Sequence, residues 1–156
     1  MTPTVSSVQV AWGTNPHISD WLTVDQELMN QFGAATIDPD WMHLDPERAA
    51  AEGPFDGTIA FGFWTLSLLS YFVRQATGRE YPDGARYGLN YGLDRVRLLA
   101  PVPIGSRIRN HSVLVDVQDR GGGRFLLKTE NRVEIEGEAK PAMIAEWLIM
   151  LFYGDE

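Results

Sequence analysis

The sequence predicts an α+β domain in which an antiparallel β-sheet wraps around a long central α-helix. Three observations lead there. The run TIAFGFWTLSLLSYFVRQATG is apolar on nearly every side of a helix, so that helix must be buried. From Arg86 onward, large apolar residues alternate with small or polar ones in the period of strands. The helical signals also precede the strand signals, so the later sheet has to cover the earlier helix.

Each element has its own local signature. Residues 1–20 are the least patterned part of what is expected to be one unit over residues 1–156, a length that suits a single domain. The opening MTPTVSSVQVAWGTNP lacks the basic flank and apolar run of a secretory leader. Thr23 with Gln26 matches a capping box, and Val24, Leu28 and Phe32 recur at helical spacing up to Gly33. Asp45-Pro46-Glu47 starts another helix, with Asp45 as cap and Pro46 in the first turn, and Gly53-Pro54 stops it. The uncharged stretch 57–73 falls short of the roughly 20 residues that cross a bilayer, so it reads as the central helix, over about residues 60–77, and not as a membrane span. Tyr87, Leu89, Tyr91 and Leu93 open the first long strand. Ile108 and residues 112–117 mark the second, Gly121-Gly122-Gly123 a turn, and residues 125–136 and 143–153 two more strands.

Charge and composition narrow the function. A net charge of −8 argues against nucleic acid as a partner. The absence of cysteine removes disulfides, thiolate catalysis and cysteine metal sites, and is compatible with a reducing cytoplasm, the expected location. Arg95 with Arg97 and Arg107 with Arg109 form two pairs spaced to share a strand face; they can meet a small anion or lie solvated at a sheet edge. No phosphate-binding glycine loop, HExxH or Gly-x-Ser-x-Gly element occurs. His17 and His111 are isolated and read as structural or exposed, so no metal site is expected. That leaves TIDPDWMHLDPERAA. Pro39 keeps Asp38 out of helical geometry, and the turn over residues 38–44 can aim Asp38 and His43 to one side. A carboxylate and an imidazole sharing one water can withdraw and return its proton; the same pair can equally be a locally locked polar turn.

Several blocks, in order, resemble one family. TIDPDWMHLDPERAA followed by GTIAFGFWTLSLL is similar to the MaoC-like dehydratases, the (R)-specific enoyl-CoA hydratase group with the hotdog fold. NYGLDRVRLLAPVPIGSRIR and EGEAKPAMIAEWL resemble its single-domain branch, so the likeness spans roughly residues 21–152. The resemblance implies a hydratase or dehydratase that adds water syn across C2–C3 of a trans-2-enoyl-CoA. Asp38 and His43 fall on the two catalytic positions, and Gly62 on the glycine whose N–H faces the thioester carbonyl. Trp41 matches a branch tryptophan, and the four arginines become candidates for the phosphates of coenzyme A, which enters as part of the substrate with no separate cofactor. A homodimer is implied. Asp40 departs from the family's Asn or Gln. Phe61 stands where many members carry His, and Trp64 replaces a smaller residue, so Trp41, Phe61, Trp64 and Asp40 are the expected pocket residues. A hotdog thioesterase and a non-catalytic module binding an acyl or other hydrophobic ligand are the alternatives.

Overall fold

Thr4 opens the first helix, α1 (Val5–Trp12), in a capping box: its hydroxyl accepts the Ser7 N–H at 3.2 Å, and Ser7 Oγ accepts the Thr4 N–H at 2.8 Å. The computed structural model describes residues 3–153, so residues 1, 2 and 154–156 of the expected unit lie outside the described residues. The stretch that carried the least pattern is thus helical, and it buries Val8 and Trp12 in the core. Two short pieces, β1 (His17–Ile18) and β2 (Leu22–Thr23), then pair antiparallel with a later strand.

The next helix, α2 (Gln26–Thr36), corrects the expected cap. Asp25, not Thr23, caps it, its carboxylate accepting the Leu28 N–H at 2.9 Å. Thr23 is held extended opposite Arg107 and cannot reach the helix, and Gln26 is left free for other partners. The turn after α2 contains a single helical turn, α3 (Trp41–Leu44). The following α4 (Pro46–Glu52) starts on Asp45, which accepts the Arg48 N–H at 3.0 Å, and ends at Gly53, as its sequence signals.

The central helix is not continuous. It begins at Gly62 and divides into α5 (Gly62–Ser67) and α6 (Leu69–Thr77). The Ser67 hydroxyl donates to the Trp64 carbonyl at 2.7 Å and the Thr65 hydroxyl to the Phe61 carbonyl at 3.4 Å. Such back-bonds bend helices, and at Leu68 the ladder tightens to a bond from its N–H to the Thr65 carbonyl. Nor is the helix buried all round: Trp64, Leu69 and Phe72 face inward, while Phe63 is 74% exposed and Tyr71 lies outside. Among the described residues no helix is long and apolar enough to cross a membrane.

Four long antiparallel strands complete the chain: β3 (Tyr87–Leu98), β4 (Arg107–Asp119), β5 (Arg124–Ile135) and β6 (Met143–Phe152). Their order is β1-β4-β5-β6-β3, with β2 also on β4. The turn into β5 holds Gly121, Gly122 and Gly123 at φ 72, 61 and 70, a left-handed run that side chains would strain. Ile108, Leu127, Val133, Met143 and Leu151 line the face that covers α5 and α6, each such burial contributing about 1.5–3 kcal/mol. A sheet wrapped around a central helix is the hotdog architecture. Its inward face also carries a polar row. Asn110 Nδ2 donates to Asn131 Oδ1 at 2.9 Å, and Asn131 Nδ2 to Thr129 Oγ1 at 2.9 Å, which links the three side chains and leaves Asn110 Oδ1 buried without a donor among the described residues. The alternation in β3 is broken by irregularities at residues 90–92 and 93–95, which switch the face its apolar residues present.

Candidate active site

His43 sits in α3, and three backbone ties fix that turn. The Ile59 N–H donates to the Met42 carbonyl at 3.1 Å, the Ala60 N–H to the Val102 carbonyl at 2.8 Å, and the Ile104 N–H to the Thr58 carbonyl at 3.1 Å. The segment ahead of α5 is therefore pinned between α3 and the loop after β3. The imidazole follows from this: His43 Nδ1 lies 2.8 Å from the Ile59 carbonyl. A carbonyl only accepts, so in the neutral ring Nδ1 carries the hydrogen and Nε2 keeps its lone pair free. Phe61 packs on the ring, centroids 3.9 Å apart, and Phe32 braces Phe61 from behind.

Gln26 was not anticipated here. Its Nε2 donates to the His43 carbonyl at 2.7 Å, and its Oε1 accepts the Thr58 hydroxyl at 2.6 Å. One side chain thus clamps the histidine's backbone to the segment that orients its ring. The sequence signal was present, since a glutamine at a helix start has two hydrogen-bonding ends, but the expected capping box had claimed it.

His43, Gly62, Thr65, Leu98, Pro101 and Val102 enclose a cavity of about 220 Å³. Gly62 is the first residue of α5, and its N–H finds no acceptor among the described residues. A Cβ there would come within 2.3 Å of Leu98 Cδ1, so glycine keeps the backbone open toward the cavity.

The remaining expected residues separate. Asp38 is exposed; its Oδ1 accepts the Asp40 N–H at 3.2 Å, and it does not border the cavity. Asp40 has a structural job: it is the N-cap of α3, accepting the Met42 N–H at 2.9 Å. Trp41 lies under the Arg48 guanidinium, 4.5 Å from its centroid, and Trp64 is in the core; neither borders the cavity. Only Phe61 of the aromatic set touches His43.

The arginine pairs also part company. Arg107 is ion-paired with Glu136, just past the end of β5, and Arg109 with Glu134 on β5, and both guanidinium groups lie over Trp21. Arg107 is held above its ordinary pKa chiefly by its hydrogen bond with Glu136. Arg95 stands opposite Glu146 in register, but that carboxylate is shared with Lys128, which also pairs with Asp94. Arg95 and Arg97 thus have no carboxylate partner among the described residues. His111 is not isolated either: its Nε2 lies 3.1 Å from the Glu134 carboxylate, two residues along β5 from its register partner Arg132. Among the described residues no cluster of His, Asp and Glu could hold a metal.

The chain is similar to several known proteins. A family model described as "MaoC like domain" matches residues 7–135. The chain is 47% identical over 145 residues to 3-hydroxyacyl-thioester dehydratase Z of Mycobacterium tuberculosis, covering 93% of each. It is 47% identical over 133 residues to nodulation protein N of Rhizobium leguminosarum bv. viciae, covering 85% of this chain and 81% of that one. Among solved structures, the monoamine oxidase regulatory protein of Archaeoglobus fulgidus superposes with a TM-score of 0.79 at 24% identity, over 94% of this chain and 92% of that one.

Proposed function

The chain belongs to the MaoC-like dehydratase family and is by that membership a hydro-lyase, and we propose that it interconverts a trans-2-enoyl-CoA and an (R)-3-hydroxyacyl-CoA by syn addition of water. The observation that carries this reading is the His43 imidazole, fixed through Nδ1 with Nε2 free, in one cavity with an unclaimed backbone N–H at Gly62.

Each part has a task. The Gly62 N–H polarises the thioester carbonyl and takes up the negative charge that grows on its oxygen as C3 is attacked. Water between Asp38 and His43 gives its proton to His43 Nε2 as its oxygen bonds to C3. The same proton, now on Nε2, passes to C2 from the same face, so addition is syn and His43 ends neutral. Asp38 orients the water. Only water and protons move, so the reaction calls for no metal or cofactor beyond the coenzyme A that the substrate brings. Arg95 and Arg97 are the arginines proposed for its phosphates, since Arg107 and Arg109 are already ion-paired. The working unit is a homodimer: β3 is a free edge of the sheet, and Leu89 and Tyr91 stand exposed on it.

Hydration of crotonyl-CoA, followed as loss of enoyl absorbance, tests this. In His43→Ala and Asp38→Asn the rate should fall by about 10²–10⁴ with unchanged circular dichroism, and the product should be the (R) enantiomer. Variants that keep the wild-type rate on every enoyl thioester would end the assignment, and release of free thiol would indicate a thioesterase instead.

A further inference from the structure

Leu98, the last residue of β3, borders the same cavity as His43 and Gly62. Apart from the glycine's own chain neighbours, the three atoms nearest to where a Cβ on Gly62 would stand all belong to it. Cδ1 would overlap that Cβ, and Cγ and Cδ2 would lie 3.4 and 3.5 Å away. The end of the leucine therefore rests on the α-carbon of Gly62. Ala60 and Thr65, which border the cavity from the same segment as Gly62, are smaller and buried. Leu98 is the bulky wall beside the glycine.

The backbone behind this wall cannot recede. Leu98 lies opposite Met143 in register, and the next N–H, that of Leu99, donates to the Ala142 carbonyl at 2.8 Å. Met143 and Ala142 are themselves buried, so the pairing that holds Leu98 is packed from behind. Only the side chain can turn, and it is already 50% exposed. The cavity has little space in reserve: it measures about 220 Å³, below the roughly 300–1,000 Å³ of sites for drug-sized ligands.

This wall bears on one carbon of an acyl group. With its oxygen on the Gly62 N–H, a thioester sets its carbonyl carbon next to Gly62, and that carbon is bonded to sulfur and to C2. The sulfur leads out to the coenzyme, while C2 has to lie within reach of His43 Nε2 to receive its proton. C2 is thus confined between His43 and the surroundings of Gly62. We propose that Leu98 is a specificity-determining residue that restricts the site to acyl thioesters unbranched at C2, because a methyl group there claims the space its side chain fills. This rests on the reading of His43 and Gly62 as the seat of an acyl thioester.

Calorimetric binding of two unreactive saturated ligands tests the wall: propionyl-CoA, and isobutyryl-CoA, which adds one methyl group at C2. The wild type should bind propionyl-CoA about 10- to 200-fold more tightly, the range that one carbon commands in a fitted pocket. In Leu98→Ala the ratio should fall to within about threefold, because the crowding that opposes the extra methyl is gone. Isobutyryl-CoA should also bind that variant more tightly than it binds the wild type, a gain that a damaged fold does not produce. Leu98→Val, one carbon shorter, should give a ratio between the two. Equal affinities in the wild type, binding of neither ligand, a ratio unchanged in both variants, or one that falls only because propionyl-CoA binds more weakly overturns the proposal. The hydratase reading fails on a different result, the absence of crotonyl-CoA hydration. A preference for the unbranched ligand can stand with that failure, and its absence can stand with an active hydratase.

Discussion

Gln26 joins two segments that are far apart in sequence and meet at the site. Its amide donates to the His43 carbonyl and accepts from Thr58, whose own carbonyl anchors the loop after β3. Gln26→Ala should therefore loosen the histidine without touching substrate: kcat falls about three- to tenfold while KM holds, since a net hydrogen bond contributes about 1 kcal/mol. Gln26→Glu sharpens the test. An ionised carboxylate still accepts the Thr58 hydroxyl but cannot donate to the His43 carbonyl, so kcat should fall as it does in Gln26→Ala; steady-state rates equal to wild type in both variants would remove Gln26 from the mechanism. At this scale the sequence was legible where chemistry and spacing coincide, as at Asp45, which caps α4 as its spacing signals. It was misleading where one residue fits two roles. Asp40 looked like a second carboxylate in the site and is a helix cap, because a one-turn helix is too short to show any period. Trp64 looked like a change to the acyl pocket and is core.

Elements were readable by period, and their interruptions were not. The strands fall close to their expected limits because alternation over ten or more residues is hard to mimic. The division of the central helix at Leu68 depends on where two hydroxyls turn, and the Asn110–Asn131–Thr129 row on cross-strand register, neither of which periodicity encodes. Register also explains the outer face of β4 and β5, where Arg107, Arg109 and His111 meet Glu136 and Glu134. Burial alone would raise the Glu134 carboxyl, but its hydrogen bonds with His111 and Arg109 outweigh this and hold it below the ordinary range. Because the folded value is the lower one, this stabilisation is fully present above the ordinary glutamate pKa and is lost as pH falls through the folded value. The wild type should thus exceed Glu134→Gln in urea midpoint at neutral pH, by no more than about 1 kcal/mol for so exposed a pair. The gap should close as pH falls through the acid carboxylate range, and a gap that stays constant into strong acid would contradict the ladder's role.

The whole molecule carries an imbalance between its two sheet edges. On one side, β1 and β2 pair with β4. On the other, β3 runs twelve residues with a free edge, and Tyr87, Leu89, Tyr91 and Leu93 on it are all exposed. A long apolar edge of this kind invites another strand, and a protein that stays single protects it with lysine, proline or cover. Here β3 has neither lysine nor proline, and Phe63 and Tyr71 leave further apolar surface on α5 and α6. A second copy across a two-fold axis would satisfy the edge and extend the sheet. It would also roof the seam between β3 and α5–α6, whose hollows Leu89, Asn90 and Leu93 border from β3. Assembly and catalysis are then coupled, and two measurements follow. Sedimentation should give a dimer for the wild type and a single chain for the Leu89→Lys/Tyr91→Lys double variant, because lysine on an edge opposes strand pairing. The wild type's specific activity on crotonyl-CoA should also fall on dilution, in step with dissociation. A single wild-type chain that retains full activity would mean that the seam is complete without a partner.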